Sequence, residues 1–559
     1  MRAAERLAPL RRQPWVILAA LVVAQWIAVG IFTTRVQHNG WLFYQGGDQT
    51  WFYTSGWIVA GGHVPETLVG WVWALAMAPV AAIFGPSFLD GAHVVVLFQY
   101  LFLLPLGLLL VYGIASRIGG RLLGYWAATW WIVVPYAVIP LFVDRYHPTF
   151  VDQALPQGLG LTGLGDFPSM IAVLASAFFV VRALETDAPG DVVLAGLLAG
   201  IAFGIKPANG LFAFAPVVAL ALARRWRRSV EFGLALVPGV IVLALWKERG
   251  SGISLLASDA VRLAAAVEPP DYSPPTFWER ARSFVPLDHD QMNRQFIGFR
   301  EFFWSARLLE YLPLAGLLAV ARRSIPVAAL LAVWLATFFV VKGSSPAVNV
   351  ETGSIWRLLM PAWPAYFLLA ASIPLLVPQW GPRLADRFRS PVRALPGGRR
   401  ALAVTFVLAF ALPAVALAAL PPDRTRQASK ISLRSLFLPL DESFTARAES
   451  EGGVLRLTWP RAGGHANEFY VVLRSPSRFV FPASTDVVVQ GQRCRESEGG
   501  ASHCTLEMEE IGRTRARRWV ESPPAGSWTY RVGVAANWLD DPEAGDILLV
   551  SAPLDVVVR

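Results

Sequence analysis

One acid stands out in the stretch YQGGDQTWFYTSGWIVAGG, Tyr44 to Gly62. Asp48 follows a glycine pair and precedes a run of aromatics, with no further acid or base before Glu66 apart from His63. A carboxylate at the mouth of an apolar bundle is costly unless it is hydrated or paired. It is either a solvated loop acid or a base within reach of a hydroxyl. The cations are as selective. The chain has four lysines, Lys206, Lys247, Lys342 and Lys430, against 45 arginines. Three of the four sit at the ends of apolar segments, where a compact ammonium can meet a phosphate; a codon bias toward arginine is the plainer explanation. VDRYHP groups Asp144, Arg145 and His147, as an interfacial Asp–Arg pair or with Arg145 turned to a phosphate. LDHDQ offers Asp288, His289 and Asp290, an Asp-x-Asp that suits a divalent cation but also arises by chance in polar loops.

The elements that must position these groups are membrane helices. Of 559 residues, 55% are hydrophobic and 16% charged, and apolar runs of helical length recur along the chain. Spans are expected near 15–32, 93–115, 122–142, 167–184, 192–205, 210–223, 229–246, 308–321, 325–341, 358–377 and 401–420. That is a polytopic α-helical protein of about eleven transmembrane helices. The first run lacks a small-residue cleavage site and reads as a retained span. The net charge of +9 lies mostly in short loops, so it sets orientation rather than nucleic-acid affinity. With the N-terminus inside, Arg117 and Arg121, Arg224 to Arg228, Arg322 and Arg323, and the basic block 383–400 all face the cytoplasm. Leu68 to Gly85 is apolar too, but counting it as a span would invert every later basic loop. Short, and carrying Pro79, Trp71 and Trp73, it reads as a juxtamembrane or re-entrant helix. The outside then receives 33–92, 143–166, 247–307, 342–357 and everything after 420.

From Pro421 the pattern changes. VLRLTW, FYVVLR, DVVVQG, YRVGVAA, ILLVSA and LDVVV are short, rich in β-branched residues and bounded by turn formers. They predict an extracytoplasmic all-β domain over 421–559, a sandwich. Both cysteines, Cys494 and Cys504, fall there, and an oxidising compartment would join them. No phosphate-binding glycine loop, metal-spaced His/Cys cluster or nucleophile elbow is present in the sequence.

The order of these features resembles the GT-C superfamily of integral-membrane glycosyltransferases over about 15–420. Asp48, the aromatics Trp51 to Tyr53, the turn Gly61 to Pro65 and the short helix Leu68 to Gly85 occupy the places of that family's first outside loop. GDFPSMIAVLASAFF is similar to its second loop, which makes Asp166 the second acid, ahead of Pro168. AGIAFGIKPANGLFAFAPVV is similar to its Gly-rich helix and Lys-Pro turn, with Lys206 as the lysine. IWRLLMPAWPAYFLLAA resembles the late span that opens on arginine, here Arg357. Gln49 stands where the family often has a second acid.

The resemblance implies a sugar donor carried on polyprenyl phosphate or pyrophosphate, used at the outer face of the cytoplasmic membrane. The acceptor is a glycan, lipid or protein hydroxyl, and inversion at the sugar is expected. It implies catalytic roles for Asp48 and Asp166, phosphate binding by Lys206, Arg357, Arg145 and Lys342, and a divalent ion, magnesium or manganese, shared by the two acids if one is used. The chemistry is coherent in its own right: the leaving lipid phosphate needs fixed cations and the acceptor hydroxyl a base. A flippase for lipid-linked sugars and an envelope-assembly scaffold are the rival readings. Against a flippase, the chain shows no paired halves.

Overall fold

Long apolar runs have no water to satisfy their backbone, so they close as helices, and the computed structural model is mostly helical up to residue 420. It describes residues 14–35, 48–65, 70–85, 88–142, 160–251, 287–301, 307–345, 354–378 and 398–423; in the tail it describes 431–433, 436–438, 440–441, 444–451, 453–461, 469–480, 486–496, 502–536 and 546–558. The helices are α1 (Pro14–Arg35), α2 (Asp48–Ala60), α3 (Val72–Phe84), α4 (Phe88–Phe98), α5 (Leu104–Phe142), α6 (Asp166–Thr186), α7 (Pro189–Ile205), α8 (Phe214–Leu222), α9 (Trp226–Ser251), α10 (His289–Glu301), α11 (Leu308–Ala321), α12 (Ile325–Gly343), α13 (Ser354–Leu359), α14 (Trp363–Ala371), α15 (Gly398–Phe406) and α16 (Leu412–Ala419).

Among the described residues, seven segments are long and apolar enough to cross a membrane. The chain is therefore a multi-pass membrane protein. By that measure the expected eleven becomes seven, for two reasons. The segment Asp90–Val133 holds two expected spans, separated where Gly119 and Gly120 leave helical geometry, Gly120 at φ 80°. The helices at the other expected spans are shorter: Pro189–Ile205, Pro207–Leu222 and Leu308–Ala321. The stretch set aside as juxtamembrane forms α3, 13 residues long, which packs closely on α2: a side chain at Gly56 would meet the Ala74 carbonyl oxygen at 2.8 Å.

Helix ends expected on one face of the membrane do lie together. At the basic end, Arg117 pairs with Glu185, Arg228 with Asp187 at 3.1 Å, and Arg322 donates to the Leu376 carbonyl at 3.4 Å. At the other end, Arg249 donates to the Leu420 carbonyl at 2.8 Å, and β1 (Val64–Pro65) pairs in parallel with β2 (Pro422–Asp423). The start of the tail is thus stitched to the loop after α2. Between the two ends lies a continuous apolar core that includes Phe167, Val173, Phe212, Trp334 and Leu368.

The six tail segments singled out in the sequence are all strands. Here β3 is Ile431–Leu433, β4 Leu436–Leu438, β5 Leu440–Asp441, β6 Arg447–Glu451, β7 Val454–Thr458, β8 Phe469–Pro476, β9 Arg478–Val480, β10 Val487–Val489, β11 Gln492–Glu496, β12 Ser502–Leu506, β13 Glu509–Thr514, β14 Arg518–Glu521, β15 Gly526–Ala536, β16 Asp546–Ser551 and β17 Leu554–Val558. The plan is thicker than a two-sheet sandwich. The central sheet runs β13-β8-β15-β16-β5, with β17 also on β15, and both of its faces are buried. Tyr470 and Val472 of β8 join a core with Leu455 and Leu457 on one side. Phe469, Val471 and Leu473 join Leu506 on the other. Strand alternation explains this: successive side chains of one strand point to opposite faces.

The register pairs Cys494 directly with Cys504 across antiparallel β11 and β12. Opposed residues in such a ladder sit about 4.5–5.5 Å apart, within the span of about 4.4–6.8 Å that a disulfide bridges. Non-reducing peptide mass mapping of protein from an oxidising compartment is expected to recover the Cys494–Cys504 pair. Replacing both by serine should cost the tail about 2–3 kcal/mol, the low end for so short a loop. Two free thiols would remove the bridge.

Candidate active site

Four local features bring charge to one end of the bundle. α6 begins at Asp166, a position its helix dipole favours for an acid, and Pro168 sits in the first turn, where no backbone donor is needed. α7 stops at Ile205 because Lys206 precedes a proline; its extended backbone, φ −137° and ψ 121°, is what a following Pro207 imposes. Arg357 lies on the short α13. Lys342 lies in the last turn of α12.

These segments, far apart in sequence, meet at one carboxylate. Lys206 Nζ donates to Asp166 Oδ1 at 2.6 Å, and Arg357 Nη2 donates to Asp166 Oδ2 at 3.3 Å. The Asp166 side chain is 1% exposed; those of Lys206 and Arg357 are 13% and 22% exposed. Lys342 is near enough to Lys206 for the two ammonium groups to repel. Taking charges out of water at this depth is unfavourable unless each finds a partner, and Asp166 supplies one to both Lys206 and Arg357.

The loop that leads into Asp166 is clamped from three sides. Gln49 Oε1 accepts from the Gly163 amide at 2.7 Å, Trp73 Nε1 donates to the Gly163 carbonyl at 2.9 Å, and Gln99 Nε2 donates to the Thr162 carbonyl. Gln49 is fully buried. The residue that replaces a second acid in the sequence thus holds the Asp166 loop instead. The Lys206 side is fixed by backbone: Gly70 N donates to the Ile205 carbonyl at 3.2 Å. A Cβ on Gly70 would lie 1.9 Å from the Gly204 carbonyl oxygen.

Asp48 is the first residue of α2 rather than a loop residue. Its neighbour Gln49 bonds Gly163, which brings the Asp48 backbone beside the Asp166 loop; the Asp48 side chain lies outside the described residues. So do Arg145, Asp144, His147, Asp152 and Lys430. Within α2, burial, with the charge of Asp90 second, pushes the Tyr53 hydroxyl well above its ordinary range, so it stays protonated and is no base. The Asp-x-Asp of LDHDQ has a structural task. Asp288 Oδ1 accepts from the Gln291 amide at 2.9 Å, which caps α10 in the manner of Asp residues at helix starts. Among the described residues, no group of three or more His, Cys, Asp or Glu is placed to hold a metal. Both oxygens of Asp166 accept from cations, and the side chain of Asp48, with which it would share an ion, lies outside the described residues. Gln49, Trp73 and Gln99 escaped the sequence reading as loop clamps; an amide one residue from the key acid is the signal that was there.

Residues 158–246 match the family model described as dolichyl-phosphate-mannose-protein mannosyltransferase. The match spans Asp166 and Lys206. The chain resembles the GT-C glycosyltransferases. Three solved structures are similar at low identity. ArnT from Cupriavidus metallidurans bound to undecaprenyl phosphate is 16% identical with a TM-score of 0.39, over 71% of this chain and 63% of that one. The Archaeoglobus fulgidus oligosaccharyltransferase in its apo form is 14% identical with a TM-score of 0.39, over 74% and 57%. AglB from the same organism, in complex with an inhibitory peptide and a dolichol-phosphate, is 14% identical with a TM-score of 0.40, over 74% and 57%. The chain thus spans less than two thirds of the length of each. No curated protein matches it in sequence.

Two outcomes follow from the geometry. In a double-mutant cycle, Asp166→Asn and Lys206→Met should each lower thermal stability, and the double variant should recover part of the loss. The coupling expected is about 1–3 kcal/mol for residues in direct contact; strict additivity would show that the pair is not formed. Gly70→Ala should leave a folded protein whose α7 end is displaced. Its activity should fall at least tenfold, as expected when catalytic groups are misplaced by about 1 Å, and unchanged activity would refute the close approach.

Proposed function

We propose that this protein transfers a sugar from a polyprenyl-phosphate or polyprenyl-pyrophosphate donor to an acceptor hydroxyl at the outer face of the cytoplasmic membrane, with inversion. The observation that carries the proposal is the Asp166 cluster, in which Lys206, Arg357 and Lys342 converge at one end of a membrane bundle. The donor phosphate sits among the cations. The acceptor oxygen attacks the anomeric carbon from the face opposite the phosphate and gives its proton to the Asp48 carboxylate. The bond from the anomeric carbon to the phosphate oxygen breaks, and its electron pair stays on the lipid phosphate. Lys206 and Arg357 meet the charge as it develops. Asp166 holds both cations in place before the donor arrives, which avoids reorganisation during the reaction. The enzyme is then a hexosyl- or pentosyltransferase, and the tail covers the outer end or receives the acceptor. Arg145 is assigned to the same phosphate.

The test is sugar transfer by purified variants from radiolabelled polyprenyl-phosphate sugars. Asp48→Asn keeps the shape of the side chain and removes the base, and turnover should fall by about 10²–10⁴. Lys206→Ala should lower kcat if its contact strengthens as the phosphate leaves, and raise only the donor KM if it does not. Near-wild-type transfer by Asp48→Asn, with the protein monodisperse, would end the assignment of Asp48 as base.

A further inference from the structure

A second charged site lies at the opposite end of α6. Asp166 opens that helix and Glu185 lies in its last turn, about 28 Å away at about 1.5 Å per residue. There the glycine kink of α5, the end of α6 and the turn from α11 to α12 surround a cavity of about 490 Å³. Its volume is within the range of about 300–1,000 Å³ of small-ligand sites. Arg117, Glu185, Arg323 and Ser324 line it, together with aliphatic Val181 and Leu184.

We propose that this cavity binds a phosphate-bearing anion, and that it is separate from the Asp166 cluster. The charge favours it: two guanidinium groups line the space against one carboxylate. Arg117 is held in place, since Nη1 contacts Glu185 and its guanidinium lies over the Phe178 ring, 5.3 Å from the centroid. A guanidinium has five donors, so the Glu185 contact leaves Arg117 able to bind an anion as well. α12 points its N-terminal end here, with Ser324 as its cap, and that end favours negative charge. The C-terminal ends of α6 and α11 partly offset it. The mixture of arginines and aliphatic walls suits an anion attached to an apolar body. Leu314 and Leu318 of α11 are 58% and 63% exposed, which provides an apolar surface on the adjoining helix. A phospholipid headgroup and a free phosphate share the recognised chemistry, and the experiment separates them.

The full-length protein is placed in nanodiscs of phosphatidylcholine alone, of phosphatidylcholine with phosphatidylglycerol, and of phosphatidylcholine with inorganic pyrophosphate added. Native mass spectrometry counts the bound anion, in a Lys206→Ala background that weakens the Asp166 cluster, so that the effect of the cavity variants is read against it. Retention by the Lys206→Ala protein, with loss in Arg323→Gln by about tenfold, would support the site, because a hydrogen bond to a charged group contributes about 1.5–3 kcal/mol. Phosphatidylglycerol retention would identify a lipid; pyrophosphate retention without it, a soluble phosphate. Leu184→Trp fills the cavity without touching its charges, and should weaken binding as much. Binding of neither anion to the wild-type cavity, or equal binding by both cavity variants when monodisperse, would overturn the proposal.

Discussion

The carboxylate of Asp166, shared by Lys206 and Arg357, is the constraint around which the rest of this end of the molecule is arranged. One acid joins the start of α6, the end of α7 and the last turn of α13. Each ion alone would be strongly disfavoured where the aspartate is 1% exposed, so the three segments either meet or the charges stay unsolvated. The backbone approach of Gly70 to Gly204 and the three hydrogen bonds on the Thr162–Gly163 loop serve this meeting. They fix the two strands of chain that deliver the acid and the lysine. An arrangement built in advance is what the proposed stabilisation of a leaving phosphate would require.

The same economy of charge shapes the whole bundle. Ionised groups gather at its two ends, and the helices between them pack through aliphatic and aromatic side chains. At the basic end the arginines are not idle loop charges. Arg117, Arg225 and Arg228 reach acids or carbonyls of neighbouring helix ends. One residue type thereby orients the chain by its charge and closes the helix ends by its hydrogen bonds. The buried Arg182–Asp191 pair, 3.1 Å apart, ties α6 to α7 in the same way. The tail obeys a different rule. A sheet with two apolar faces must be covered twice, and β8, buried along nearly its whole length, is enclosed by strands on both sides.

Much of this was legible in the sequence, for physical reasons that can be named. A helix in an apolar solvent needs a run of apolar residues, so the helical character up to residue 420 could be read off the chain, while the merging of two expected spans across the Gly119–Gly120 kink could not. The positive-inside distribution grouped the helix ends correctly, since Leu420 and Arg249, assigned to one face, are in contact. Short β-branched runs bounded by turn formers marked β7, β8, β10 and β15 to β17. They missed β3 to β6, β9 and β11 to β14, which are very short or too polar to carry an apolar pattern. Asp166, Lys206 and Arg357 were named from resemblance, each in its own stretch.

What the sequence alone determined, then, is a multi-pass helical bundle followed by a β-rich tail, and the residue types available at the helix ends. Only the tertiary structure decided that Asp166, Lys206 and Arg357 form one ion cluster, and that Asp288 is a helix cap while Gln49 is a loop clamp. Local sequence specifies helix length and ending, because both follow from solvation and backbone sterics within a few residues. Which charge meets which across 191 positions depends on how the helices pack side by side, and no local pattern encodes that distance.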